Sequence, residues 1–346
     1  MSRSTATAHH NTLLRQEIHE DGPGSILRDF QMLLGYVAEK APLLTKTGLL
    51  PMQALAQLNA RLSRPIQIDL QRPKQKSFPH INGLFLLLRT SGIAQARPEG
   101  KGRRLTLDAH LNAQWQGLTD TERYLTLIEI WLLEAELRLI GERDRRSNLS
   151  VCLALWHRLG DGTRREFPSM AEQEHWLSYS PGYLNLAMME LFGWARVDHG
   201  VPAPRNGWRV RAVEVTPLGS AFLSLLAEDI EIWLPSRSED EDETTDGEGG
   251  MRNRLYRLLG EVFPAWKQFL DYPAWPFQPG VYRMEVALNA GLWRRFEVPG
   301  NALWEELADA ILDAFGFDHD HLYVFGYTLP TGKQLDVRSY RPLFCR

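Results

Sequence analysis

Ile81-Asn-Gly-Leu-Phe-Leu-Leu-Leu-Arg89, then Gly92, then Ile93-Ala-Gln-Ala96 and Arg104-Leu-Thr-Leu107 on either side of Pro98-Glu-Gly-Lys-Gly102, is the stretch on which the fold turns. The first run reads as a short apolar helix closed by Gly92. Residues 93–96 and 104–107 read as two strands, and the glycine-bearing segment between them is a hairpin turn. Upstream, Ser25 is placed to cap a helix carrying Ile26, Phe30, Leu33, Leu34 and Val37 at helical spacing, which Pro42 ends. Pro51 suits a first helical position, and Met52, Leu55, Leu58 and Leu62 continue one face. Helix, helix, helix and β-hairpin is the order of a winged helix-turn-helix.

Downstream, Thr119-Asp-Thr-Glu122 is a capping box in front of an apolar helix reaching about Ile140, and residues 148–159 read as another helix. The outline then repeats. Pro168 opens a helix through Tyr179, Ser180-Pro181 caps the next through Phe192, and Gly193 ends it. Residues 194–197 and 208–215 form a second hairpin, and Thr216-Pro217 opens a helix to about Trp233. The expected fold is α+β and mainly helical. It has two tandem winged-helix-like modules, 24–145 and 146–235, preceded by a loose polar arm over residues 1–23.

The net charge of −4 is unevenly spread: residues 238–248 hold seven acids and no base, and without them the remainder carries +3. So acidic a run repels itself, and 236–250 reads as a disordered linker. A mildly basic body is compatible with a nucleic-acid partner. The two cysteines, Cys152 and Cys345, fit a reducing compartment. The first residues carry no apolar core of a secretory signal, and no aliphatic run approaches the roughly 18 residues of a membrane span. A cytoplasmic protein without membrane contact is expected. Gly247-Glu-Gly-Gly250 lies in the acidic run and not after a strand, so it is no dinucleotide fingerprint. With no catalytic motif and no cofactor motif, an enzyme is the least favoured reading.

Residues 251–270 read as one helix. Residues 281–288 and 293–298 are strands around Asn289-Ala-Gly291, and residues 303–315 are an amphipathic helix with Leu303, Trp304, Leu307, Ile311, Leu312 and Phe315 inward. Residues 322–327 form a third strand. The runs Val281-Tyr-Arg-Met-Glu-Val-Ala-Leu288, Leu292-Trp-Arg-Arg-Phe-Glu-Val-Pro299 and Phe315-Gly-Phe-Asp-His-Asp-His-Leu322 resemble the opening half of the plasmid pRiA4b ORF-3-like proteins. The resemblance rests on Trp293-Arg294-Arg295 before a Val-Pro, on the Leu-x-x-Leu helix, and on the Gly-aromatic-Asp-x-Asp-His-Leu run with Asp318, Asp320 and His321. It implies a small β-β-α-β domain within 251–346 and an association with plasmids or mobile elements, with no catalytic residues to transfer. The family's second half has no counterpart in this chain.

The main electrostatic feature lies in residues 71–104, where Arg72, Lys74, Lys76, Arg89, Arg97, Lys101, Arg103 and Arg104 face one acid, Glu99. Such bases contact phosphate, and their binding is strongly salt-dependent. The helix that would enter a major groove offers only Asn82 and Arg89 to base edges, and its counterpart offers Asn185 and an unfavourable Glu190. Helices this apolar are usually buried on most sides, so the wing and loops would carry the contact. The expected function is a non-enzymatic, duplex-DNA-associated accessory protein. The runner-up is a scaffold whose modules pack on a protein partner or a second copy. Asp318-His-Asp-His321 suggests a metal, but a zinc site wants three or four protein ligands and none is nearby, so no metal site is expected. His80, His110, His157, His175 and His199 are scattered, with no serine or cysteine motif near them. On a strand, one of Arg294 and Arg295 would face the core and the other solvent.

Overall fold

Two stretches of the chain run through the same succession of elements. The computed structural model describes residues 3–135, 137–142, 148–159, 162–177, 182–227, 249–270, 280–289, 291–300, 302, 304–318, 324–328 and 334–338. After α1 (Arg3–Leu14), the first stretch contains α2 (Ile26–Lys40), α3 (Met52–Arg61), α4 (Pro79–Thr90), β1 (Ala94–Glu99) and β2 (Gly102–Leu107), followed by α5 (Ala109–Gly117) and α6 (Asp120–Glu129). The second contains α7 (Asn148–Leu159), β3 (Arg164–Glu166), α8 (Met170–Leu177), α9 (Gly182–Leu191), β4 (Ala195–Gly200), β5 (Arg209–Val215) and α10 (Pro217–Ala227), followed by α11 (Gly249–Val262). β3, β5 and β4 form a three-stranded antiparallel sheet in that order. Its counterpart is the β1–β2 hairpin, to which Leu43 adds a single bridge opposite Arg104. The architecture is mixed α and β, with helices dominant and the sheets small and antiparallel.

Local signals account for most of these boundaries. In α2 the residues Ile26, Phe30, Leu33, Leu34 and Val37 are all buried on one face. Ala41 adopts a left-handed conformation, and Pro42 then prevents continuation. Gly92 and Gly193, both at positive φ, close α4 and α9. The Thr119–Glu122 capping box is formed, with Thr119 Oγ1 accepting from the Glu122 amide and Glu122 Oε2 accepting from the Thr119 amide. Glu122 Oε1 also accepts from the amides of Lys267 and Gln268, tying residues 263–270 to α6.

Several expectations are corrected. Within residues 1–23, residues 3–14 are helical, and α1 lies along α10 with Leu13 fully buried. The helix begun at Asp120 does not run unbroken to Ile140. It passes into a π turn over Ile130–Glu134 and a short 3-10 turn over Leu137–Ile140, and the Trp131 carbonyl accepts from Asn148 Nδ2. α11 stops at Val262 and does not extend to Leu270, because Pro264 supplies no amide hydrogen. Tyr179, the Ser180-Pro181 cap and the acidic run lie outside the described residues. The chain divides into two compact units, Met1–Asp271 and Tyr272–Arg346, so α11 belongs to the first.

The second unit holds β6 (Val281–Asn289) paired antiparallel with β7 (Leu292–Pro299), α12 (Trp304–Phe315), and β8 (Val324–Thr328) paired with β9 (Gln334–Arg338). β9 is a strand the sequence pattern did not reveal. In α12 the buried residues are Leu307 and Ala308, while Trp304 is exposed and not inward.

In the first unit the core lies between the two modules. Every residue of α4 is buried, as is α9 from Asn185 to Leu191, and the two helices pack against each other. Gly83 allows the approach: a Cβ there would lie 2.3 Å from Met188 Sδ. At the other end Gly24 and Gly193 meet backbone to backbone, and the Ser25 amide donates to Leu191 O at 2.8 Å. Trp131 reaches from the first module into the second, stacking on Phe192 with ring centroids 5.1 Å apart.

Candidate functional site

The eight bases of residues 71–104 divide by environment. Arg72, Lys74 and Lys76 stand exposed on the loop between α3 and α4, and Arg97, Lys101 and Arg103 stand exposed on the β1–β2 hairpin. Arg97 has a distant carboxylate, Asp108 at 3.8 Å. Arg104 is half-buried and committed to structure: it donates to Glu99 in an ion pair and to Ala41 O at 2.7 Å. Lys76 also lines a cleft of about 490 Å³ with Asn82, Glu174, Tyr183 and Trp208.

Arg89 must be withdrawn from the phosphate-contacting set. It is 5 % exposed within the all-buried helix α4 and lies over the Phe85 ring, with Nε unbonded. No carboxylate pairs with it among the described residues. Burial, aided by the charge of Arg103, pushes its pKa down to about 10. An unpaired buried charge is costly, and a well-packed apolar replacement removes that cost. Arg89→Met is therefore expected to raise unfolding stability by about 1–2 kcal/mol, read from the urea midpoint. A lower midpoint would mean that the guanidinium is satisfied where it lies.

In the second unit both arginines of Trp293-Arg294-Arg295 are engaged. Arg294 donates to Ala314 O at 3.1 Å and lies over Phe315, while Arg295 pairs with Glu285 at 2.6 Å and lies over Trp293. The division into one core-facing and one free arginine is therefore replaced by two exposed, occupied side chains. Asp318 is exposed; His319, Asp320 and His321 lie outside the described residues.

The structure assembles a site that the sequence reading did not. His80 in the first turn of α4, Glu190 near the end of α9 and His199 on β4 converge where the modules meet. His80 Nε2 lies 2.8 Å from Glu190 Oε2, and His199 Nε2 lies 2.9 Å from the same oxygen. One ligand-type atom from each residue falls within 4.8 Å of the others. The indole of Trp208 packs edge-on against both imidazoles, with centroids 4.9 and 5.4 Å away. His80 Nδ1 is buried without a partner, so Glu190 and Trp208 orient the ring. Arg64 closes the solvent side, donating to Glu190 Oε1 and to Val197 O.

Burial alone would push the Glu190 carboxyl up, but hydrogen bonds from His199 and His80, with their charges, outweigh it and hold the pKa down to about 2. The group is an anion clasped by three nitrogen donors. His80 and Glu190 are 110 residues apart, so no spacing rule could pair them. The available signal was Glu190 itself: an acid on an otherwise apolar helix is seldom buried without partners. No protein-family model, curated protein or solved structure matches this chain.

Proposed function

We propose that the chain is a DNA-associated accessory protein built on two winged-helix-like modules, holding duplex backbone through the loop and wing of the first. The modular reading is supported by the repeated order of helix, edge strand or bridge, two helices and hairpin. The association with a plasmid or mobile element rests on the resemblance of residues 282–327 alone.

The observation that carries the binding reading is a difference in charge pairing. Arg72, Lys74, Lys76, Lys101 and Arg103 are exposed and form no ion pair among the described residues. On the second module's sheet more of the charges are paired: Arg164 and Arg211 both pair with Asp198, and Arg196 pairs with Glu214, while Arg165 is exposed with no ion pair among the described residues. Because α4 and α9 bury each other, neither is free to read a major groove. The contact is therefore with phosphates and independent of base sequence.

In an anisotropy titration of a generic duplex, affinity should fall steeply between about 50 and 200 mM salt. Lys101→Ala with Arg103→Ala should weaken binding equally on all sequences and lower the salt slope by about two, one for each phosphate contact. Arg196→Ala serves as the control and should bind as the wild type does. No binding at the lower salt would overturn the reading.

A further inference from the structure

We propose that His80, Glu190 and His199 bind a divalent transition-metal ion of the zinc type at the junction of the two modules, and that Arg64 occupies the ion's place when it is absent. Two imidazoles and one carboxylate form a borderline donor set suited to zinc and unsuited to the hard, all-oxygen preferences of calcium or magnesium. The three residues come from three different elements, α4, α9 and β4, and the two imidazoles pack against the indole of Trp208. Tetrahedral zinc with bonds of about 2.0–2.1 Å spaces its ligand atoms roughly 3.3 Å apart. The two histidine–carboxylate separations here are 2.8–3.0 Å, so each opens by a few tenths of an ångström to admit an ion, and the two imidazole nitrogens, within 4.8 Å of each other, adjust to the same spacing. Each imidazole then coordinates through Nε2, and the proton that this nitrogen donates to Glu190 leaves to solvent or passes to Nδ1.

Arg64 explains how the same three residues are stable without metal. A buried carboxylate must be compensated, and the Arg64 guanidinium supplies a positive charge at Glu190 Oε1. Its side chain is 51 % exposed, against 3 % for His80 and 6 % for Glu190, so Arg64 can swing into water while the ligands stay in place. Its departure opens a fourth coordination position on the solvent side. The bound ion would clamp α4 of the first module to α9 and β4 of the second, favouring the folded chain by mass action.

The test uses the full chain, stripped with a chelator and titrated with cobalt(II) as a spectroscopic stand-in and with zinc by calorimetry. One equivalent should bind with a visible tetrahedral cobalt band, displaced by zinc, while calcium and magnesium give no signal. His199→Ala should weaken zinc by more than about 100-fold, since even outer-shell changes cost 10–100-fold. Arg64→Ala changes an exposed residue and is expected to fold. By removing a competing cation, it should tighten zinc about tenfold. Absence of a saturable band in both the wild type and Arg64→Ala overturns the proposal. So does a band of equal affinity in a folded His199→Ala protein. Unchanged or weaker zinc binding in Arg64→Ala would remove Arg64 as the stand-in.

Discussion

Gly24→Ala is expected to destabilise the first unit by about 3 kcal/mol or more, although it adds only one methyl group. Two independent costs combine at this position. Gly24 has φ +68°, where an L side chain is disfavoured by about 1–2 kcal/mol. The added Cβ would also lie 2.1 Å from Leu191 O and 2.4 Å from the Gly193 amide nitrogen. Both are backbone atoms at the end of α9, and neither can rotate aside. Overpacking against a fixed wall costs about a further 1–3 kcal/mol. Relief requires the start of α2 to lift from α9, which breaks the hydrogen bond from the Ser25 amide to Leu191 O. Gly35→Ala is the matched control within α2, where a Cβ meets nothing within 4 Å. That substitution should stabilise by about 0.5–1 kcal/mol through helix propensity. Urea midpoints of opposite sign for the pair are the expected result; a Gly24→Ala protein as stable as the wild type would mean that the two modules do not meet at this point.

The contrast between Gly24 and Gly35 also shows what the sequence could disclose. Signals that act within a few residues were legible. The Ile26 to Val37 stripe, the Thr119–Glu122 box and the terminators Gly92 and Gly193 all act locally and fall where expected. β3 was not legible because Arg164-Arg165-Glu166 has no apolar alternation and is a strand only through its pairing with β5. The apolar character of α4 and α9 signalled burial but could not name the partner, which is each helix for the other. That mutual burial moved Arg89 from the basic surface to the interior. It also brought His80 onto the Glu190 carboxylate, which His199 of the adjoining strand β4 already contacts, although the two had looked like unrelated single histidines. The misplacement of Arg89 and the missed approach of His80 to Glu190 both follow from one tertiary fact, the packing of α4 on α9.

Trp131→Ala should be the most damaging single truncation, at about 3–5 kcal/mol for a fully buried large aromatic. Trp131 leaves α6 through the π turn of Ile130–Glu134 and enters the second module. There it stacks on Phe192, tilts against Trp194 at 5.3 Å and donates from Nε1 to Asn185 Oδ1 at 2.9 Å. The neighbouring first-module side chain Tyr124 reinforces the junction by donating to Phe192 O and accepting from Trp194 Nε1. Every principal partner of the Trp131 ring thus belongs to the second module, while its backbone belongs to the first. A cavity of this kind cannot be absorbed by one module alone. Hydrogen-exchange protection in α3 of the first module and in β5 of the second should fall by the same free energy, since both open only when the shared core opens. Trp131→Phe retains ring burial but loses the donor to Asn185, so it should recover most of that protection and fall short by about 1 kcal/mol. If protection dropped in β5 and not in α3, the modules would be separate cooperative units. Gly24, the α4–α9 pairing and the His80–Glu190–His199 cluster would then be surface contacts between them and not parts of a common core.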